Sequence, residues 1–239
     1  MSTAPTVVLV HGAFADASSW SSVIARLHAQ QIPAVAVANP LRSVAGDAAY
    51  VRDVLASIEG PIVLVGHSYG GFVITEAAAG NPDVVALVYV GAFIPDTGEN
   101  ATDLSLKFPG SSLGEALAGY PLASGETELV IRQEAFGQQF AADVDEEHAV
   151  LMAATQRPVT QTALTDALPT GTPAWSDRPS WVVYGSDDRN IPAELVRYMA
   201  ERAGARSTVA VRGASHALSV SRPAEVADVV LAAVGATRD

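Results

Sequence analysis

One recurrence constrains the fold more than any other feature of this sequence. Short, unbroken apolar runs rich in Val alternate with longer amphipathic stretches rich in Ala. The runs cover residues 6–10, 33–38, 61–65, 84–90, 180–184 and 207–211. They are continuous rather than alternating, which fits strands covered on both faces, as in a parallel sheet. The stretches at 19–31, 45–57, 71–79, 192–203 and 223–234 are helix-like, with Pro192 and Pro223 at first-turn positions that tolerate proline. Such alternation predicts an α/β fold with a doubly wound, mostly parallel sheet of about six strands.

The rhythm breaks once, between residues 96 and 178. Gly and Pro punctuate the first part of this interval, and helical stretches are expected at 126–140 and 145–155. An interval of this length is too long for an ordinary connection. It predicts a helical cap over one end of the sheet, with residues 1–95 and 179–239 forming the core of a single domain.

Composition removes several classes of function. Lys and Arg number 14 and Asp and Glu 26, a net charge of −12, which disfavours nucleic acid as a partner. No apolar run approaches the ~18 residues that span a bilayer, so no membrane partner is expected. Residues 1–6 carry no basic segment ahead of the first apolar run, and the expected location is cytoplasmic. The chain has no Cys, which excludes disulfides, zinc–thiolate sites and a thiol nucleophile. No metal and no other cofactor is called for.

A chemical signal follows the third run. Gly66, Ser68 and Gly70 fit G-x-S-x-G between a Val-rich strand and a helix. A strand that ends abruptly in a helix forces a strained turn at Ser68, and small residues on either side let the backbone pass. The turn lifts the hydroxyl above the carboxyl edge of the sheet, beside the partly positive start of the next helix. A dinucleotide fingerprint fits worse, since it would need Gly where Ser68 stands.

A serine hydroxyl needs a base, usually His held by a carboxylate. Of the five His, His28 and His148 read as exposed helix residues, and His11 and His67 as structural. His216 lies in the loop after the last strand. All βα loops of a parallel sheet open at the same edge, so this loop opens beside Ser68. Asp187 and Asp188 both close the preceding strand, and either carboxylate suits a cationic imidazole. Oxyanion stabilisation is expected from the backbone N–H groups of Tyr69, after the serine, and Ala13, after the first strand. Phe14, Trp175 and Leu218 adjoin these segments and are candidates for an apolar pocket.

Four segments together carry a family resemblance. They are HGAF at 11–14, GHSYGG at 66–71, GSDDRNIP at 185–192 and GASHAL at 213–218. Over nearly its whole length the chain resembles the α/β-hydrolase superfamily, in which the triad runs in the order Ser, Asp, His. The compact start and the cap are similar to the plant methyl-esterase and hydroxynitrile-lyase branch and to bacterial carboxylesterases. The resemblance implies Asp188 as the acid, at the fourth position of its G-x-x-D segment. It implies an acyl-enzyme esterase on small-molecule esters, with lactone, amide or C–C hydrolysis as alternatives. Lyases of that branch carry Thr where Gly12 stands and Lys where Ala217 stands, which weakens the lyase expectation. A non-catalytic receptor is the alternative from a different class.

Overall fold

The computed structural model describes residues 4–237. Residues 1–3, on which the expectation about the chain's start partly rests, lie outside the described residues.

Six parallel strands form the main sheet: β1 (Thr6–Val10), β2 (Ala34–Val37), β3 (Ile62–His67), β4 (Val84–Val90), β8 (Ser180–Gly185) and β9 (Ser207–Val211). Their order is β2-β1-β3-β4-β8-β9. Three short strands, β5 (Leu117–Pro121), β6 (Thr127–Ile131) and β7 (Val159–Thr160), make a separate antiparallel sheet. The helices of the first half are α1 (Ser21–Ala29), α2 (Val44–Ala56), α3 (Gly70–Ala78), α4 (Ala101–Ser105) and α5 (Leu113–Ala116). The second half carries α6 (Gln133–Phe140), α7 (Glu146–Thr155), α8 (Gln161–Thr165), α9 (Ala193–Arg202), α10 (Leu218–Ser221) and α11 (Pro223–Ala236).

The unbroken apolar runs have the cause that the sequence suggests. Val7 and Leu9 of β1 pack with Val63 and Val65 of β3 against α1 and α11, while Val8, Val10 and Leu64 face the cluster containing α2, α3 and α9. The inner strands therefore feed two cores, whereas the edge strands β2 and β9 correct the expectation, because each lacks a neighbour on one side and leaves residues such as Val35 and Val209 exposed. Helix α3 is buried along its whole length. A Cβ on Gly71 would lie 1.9 Å from the Phe93 carbonyl oxygen, so only glycine lets α3 approach the β4 exit this closely.

The strand order also positions the site. From β1 the chain moves outward to β2, then returns past β1 to β3 and continues the other way. The loops after β1 and β3 thus diverge to opposite sides. This is the switch point at which open parallel sheets leave a crevice at their carboxyl edge.

The insertion between β4 and β8 has the antiparallel sheet and short helices of a cap, and it differs from the expected pair of helices. The stretch read as one helix at 126–140 is strand β6 followed by helix α6. Thr127, Val130 and Ile131 are β-branched, and β6 pairs with β5 and β7 while staying half-exposed on most residues. Arg42 ties the insertion to the core, donating to the Glu128 carboxylate and to the Pro158 carbonyl.

Candidate active site

Ser68 sits in the left-handed region at φ 55, the strained turn expected where β3 breaks into α3. The close approaches around it explain the glycine spacing. A Cβ on Gly66 would come within 2.7 Å of the Gly70 carbonyl oxygen, and one on Gly70 within 2.7 Å of the Val10 carbonyl oxygen. A Cβ on Gly12 would lie 2.5 Å from the Ser68 Cβ. The exit of β1 is therefore pressed against the elbow.

Asp188 and His216 meet at the same edge. His216 Nδ1 lies 2.7 Å from Asp188 Oδ2, with His216 fully buried and Asp188 7 % exposed. The other carboxylate oxygen accepts N–H bonds from Asn190 at 2.7 Å and Ile191 at 3.0 Å. Asp187, by contrast, is exposed and accepts from the Ser186 hydroxyl. His216 Nε2 is buried and makes no hydrogen bond within the described residues. Donors and acceptors at such centres often tighten only when substrate is bound.

Among the described residues the Ala13 and Tyr69 N–H groups donate to no backbone acceptor, and both residues line one cavity with Ser68. The orientation of the Ala13 N–H has a visible cause. Asn39 N–H donates to His11 Nε2 at 3.1 Å, so the ring proton resides on Nδ1, which lies 2.9 Å from the Gly12 carbonyl oxygen. In a trans peptide the N–H opposes the C=O, so holding the Gly12 carbonyl turns the Ala13 N–H the other way. Tyr69 is anchored from its far end, where its hydroxyl donates to the buried Asp47 Oδ2 at 2.9 Å.

His67 packs beside His216 rather than at the surface. Its Nε2 lies 3.0 Å from the His216 carbonyl oxygen, and its ring is 4.7 Å from the His216 ring. Burial, with His216 alongside, holds the His67 imidazole well below its ordinary 6.5. Burial likewise brings His11 down to about 4. Both are therefore neutral in the folded protein near pH 6, whereas an unfolded imidazole gains its proton close to 6.5. Stability is then complete above pH 6.5 and falls with acidification, because the unfolded chain binds protons that the fold refuses. Between pH 6.5 and 4, His11 alone should remove about 3 kcal/mol. Urea midpoints should drop steeply across this range, and a flat profile would contradict the neutral state of both rings.

The cavity at Ser68 has a volume of about 350 Å³. Phe14 lines it as expected, together with Phe93 and Ile191. Much of the remaining wall comes from the insertion, including Leu106, Leu113, Leu117 and Leu164. Glu115 is the one charged side chain in this wall among the described residues. Trp175 and Leu218 are not part of it. The Trp175 indole N–H donates to the Pro95 carbonyl at 2.7 Å, and Leu218 is packed in the core beneath the His216 loop. Adjacency to a motif in the chain does not reveal which face a side chain takes. No local signal marked the leucines of the insertion, whose role depends on where a long segment folds back.

A sequence profile of the alpha/beta hydrolase family matches residues 7–229, nearly the whole chain. The chain belongs to the α/β hydrolase family. Among its relatives, a carbendazim-hydrolysing esterase of Nocardioides sp. is 38 % identical over 81 residues, or 31 % of this hydrolase and 34 % of that esterase. The chain thus aligns with about a third of that relative's length. An esterase of Oryza sativa subsp. japonica is 26 % identical over 253 aligned positions, covering 94 % of this α/β hydrolase and 93 % of the rice protein. The crystal structure of polyneuridine aldehyde esterase superposes with a TM-score of 0.82 at 20 % identity, covering 96 % of this chain and 99 % of that one. At that identity the superposition bears on the fold. Among the described residues, no helix of this α/β hydrolase is long and apolar enough to cross a membrane.

Proposed function

We propose that this α/β hydrolase cleaves small, uncharged carboxylic esters through an acyl-enzyme on Ser68. The observation that carries the proposal is the buried 2.7 Å contact between Asp188 and His216, at the same sheet edge as a serine in an elbow at φ 55. Ser68 Oγ attacks the ester carbonyl carbon while its proton passes to His216 Nε2. Asp188 holds the Nδ1 proton and supports the imidazolium. The oxyanion of the tetrahedral intermediate accepts from the Ala13 and Tyr69 N–H groups, each lowering the barrier by roughly 3 kcal/mol. Collapse expels the alcohol, which takes the proton from His216. Water then repeats the sequence on the acyl-enzyme and frees the acid.

The apolar wall and the lone Glu115 carboxylate favour neutral acyl groups over anionic ones. In this scheme residues 96–178 act as the cap over a core of 1–95 and 179–239. The lyase alternative lacks its Thr and Lys, because this chain carries Gly12 and Ala217 at those positions. A fluorophosphonate probe tests the assignment directly. One adduct per chain is expected, located on Ser68 by peptide mass analysis. A protein that stays unlabelled while folded would instead be a receptor built on the same fold.

A further inference from the structure

The inserted segment touches the Asp188–His216 pair from outside the cavity. Gln139, in the last turn of α6, is 7 % exposed and absent from the wall of the Ser68 cavity. Its amide Nε2 donates to Asn190 Oδ1 at 2.7 Å and to the Arg189 carbonyl at 2.9 Å. Its Oε1 accepts from the Ser112 hydroxyl at 2.8 Å. Asn190 in turn donates its backbone N–H to Asp188 Oδ1, so Gln139 grips the loop that aims the carboxylate.

The next residue grips the other partner. The last carbonyls of a helix have no intrahelical donor. That of Phe140 accepts from Ala217 N at 3.0 Å and from the Ser215 hydroxyl at 3.3 Å, the two neighbours of His216. The Phe140 ring stands edge-on to the His216 ring at 4.9 Å, and Asp143 Oδ1 accepts from Ser215 N at 3.1 Å. Two consecutive residues, whose Cα atoms a trans peptide holds about 3.8 Å apart, thus bind loops that leave different strands.

We propose that the end of α6 and the turn after it, residues 139–143, form a strap that sets the distance and angle between Asp188 and His216, with Gln139 as its positioning residue. A segment that merely covered substrate would need apolar contacts with the cavity. This one directs its polar groups to both loops and stays out of the wall. The proposal rests on the esterase assignment above, and its test separates the two.

Gln139→Glu keeps the shape and removes both donated bonds, and Gln139→Ala removes the side chain. Turnover of a short-chain p-nitrophenyl ester is measured per site titrated with fluorophosphonate, with Ser68→Ala compared per mole of folded protein. Both Gln139 variants should lose about tenfold or more in kcat with KM changed less than about twofold, because misplacement near 1 Å costs on this scale. Titration removes misfolded protein from the comparison. If kcat per titrated site stays within about twofold of the parent, or if KM rises in proportion, the strap is wrong while the esterase assignment stands. If Ser68→Ala retains activity, the esterase assignment itself fails.

Discussion

Replacing Ser68 with Ala is expected to lower kcat/KM for a chromogenic short-chain ester by about four orders of magnitude or more, close to 5.5 kcal/mol of transition-state stabilisation. The size follows from the division of labour at the site. Without Oγ no acyl-enzyme forms, and His216 has no proton to accept from the chain. What remains is the cavity and the Ala13 and Tyr69 N–H groups, which would assist a bound water only weakly. The substitution deletes one atom at a residue that is 8 % exposed, and Ala meets the same backbone strain at φ 55 as Ser. The thermal midpoint should therefore stay within a few degrees, so lost turnover reports chemistry. Turnover near that of the parent would remove Ser68 from the mechanism.

Asp188→Asn should cost about four orders of magnitude in kcat, while Asp187→Asn should stay within a few-fold. The hydrogen bonds around the carboxylate give the reason. Asn190 and Ile191 N–H groups both point at Oδ1, so an amide at 188 must keep its oxygen there. Its NH2 group is then presented to His216 Nδ1. That nitrogen becomes an acceptor, the ring proton moves to Nε2, and the base can no longer receive the serine proton. Asp187 lies exposed, bonded to the Ser186 hydroxyl, and has no contact with the imidazole to lose. Parallel kinetics on the two variants decide the matter, and the reverse pattern would exchange their roles.

The main sheet was legible because its inner strands β1, β3, β4 and β8 are almost wholly buried on both faces and read as unbroken apolar runs, while the edge strands β2 and β9 keep Val and Ala although they are partly exposed. The elbow was legible because a Cβ at position 66 or 70 would meet a carbonyl oxygen at 2.7 Å, which forces glycine at fixed offsets from Ser68. Strand β6 was hidden. Its outer residues are half-exposed, so Thr-Glu-Leu-Val-Ile shows neither an apolar run nor a clean alternation, and the helix behind it continued the pattern. Chemistry alone could not separate Asp187 from Asp188, since the difference lies in which one the turn after β8 buries. The bonds from Gln139 and Phe140 to the Asp188 and His216 loops had no sequence signal. They join residues about 50 and 75 positions apart, and such contacts leave no period along the chain.

The way the insertion is fastened has a practical consequence for building chimeras. Three of its four wall leucines lie between residues 101 and 117, and only Leu164 lies beyond α6, whereas residues 139–143 are bonded to the loops that carry Asp188 and His216. A graft intended to alter substrate choice should therefore be spliced ahead of α6 and leave its last turn in place. Exchanging the whole insertion up to residue 178 would transplant a pocket and discard the contacts that hold the Asp188 and His216 loops.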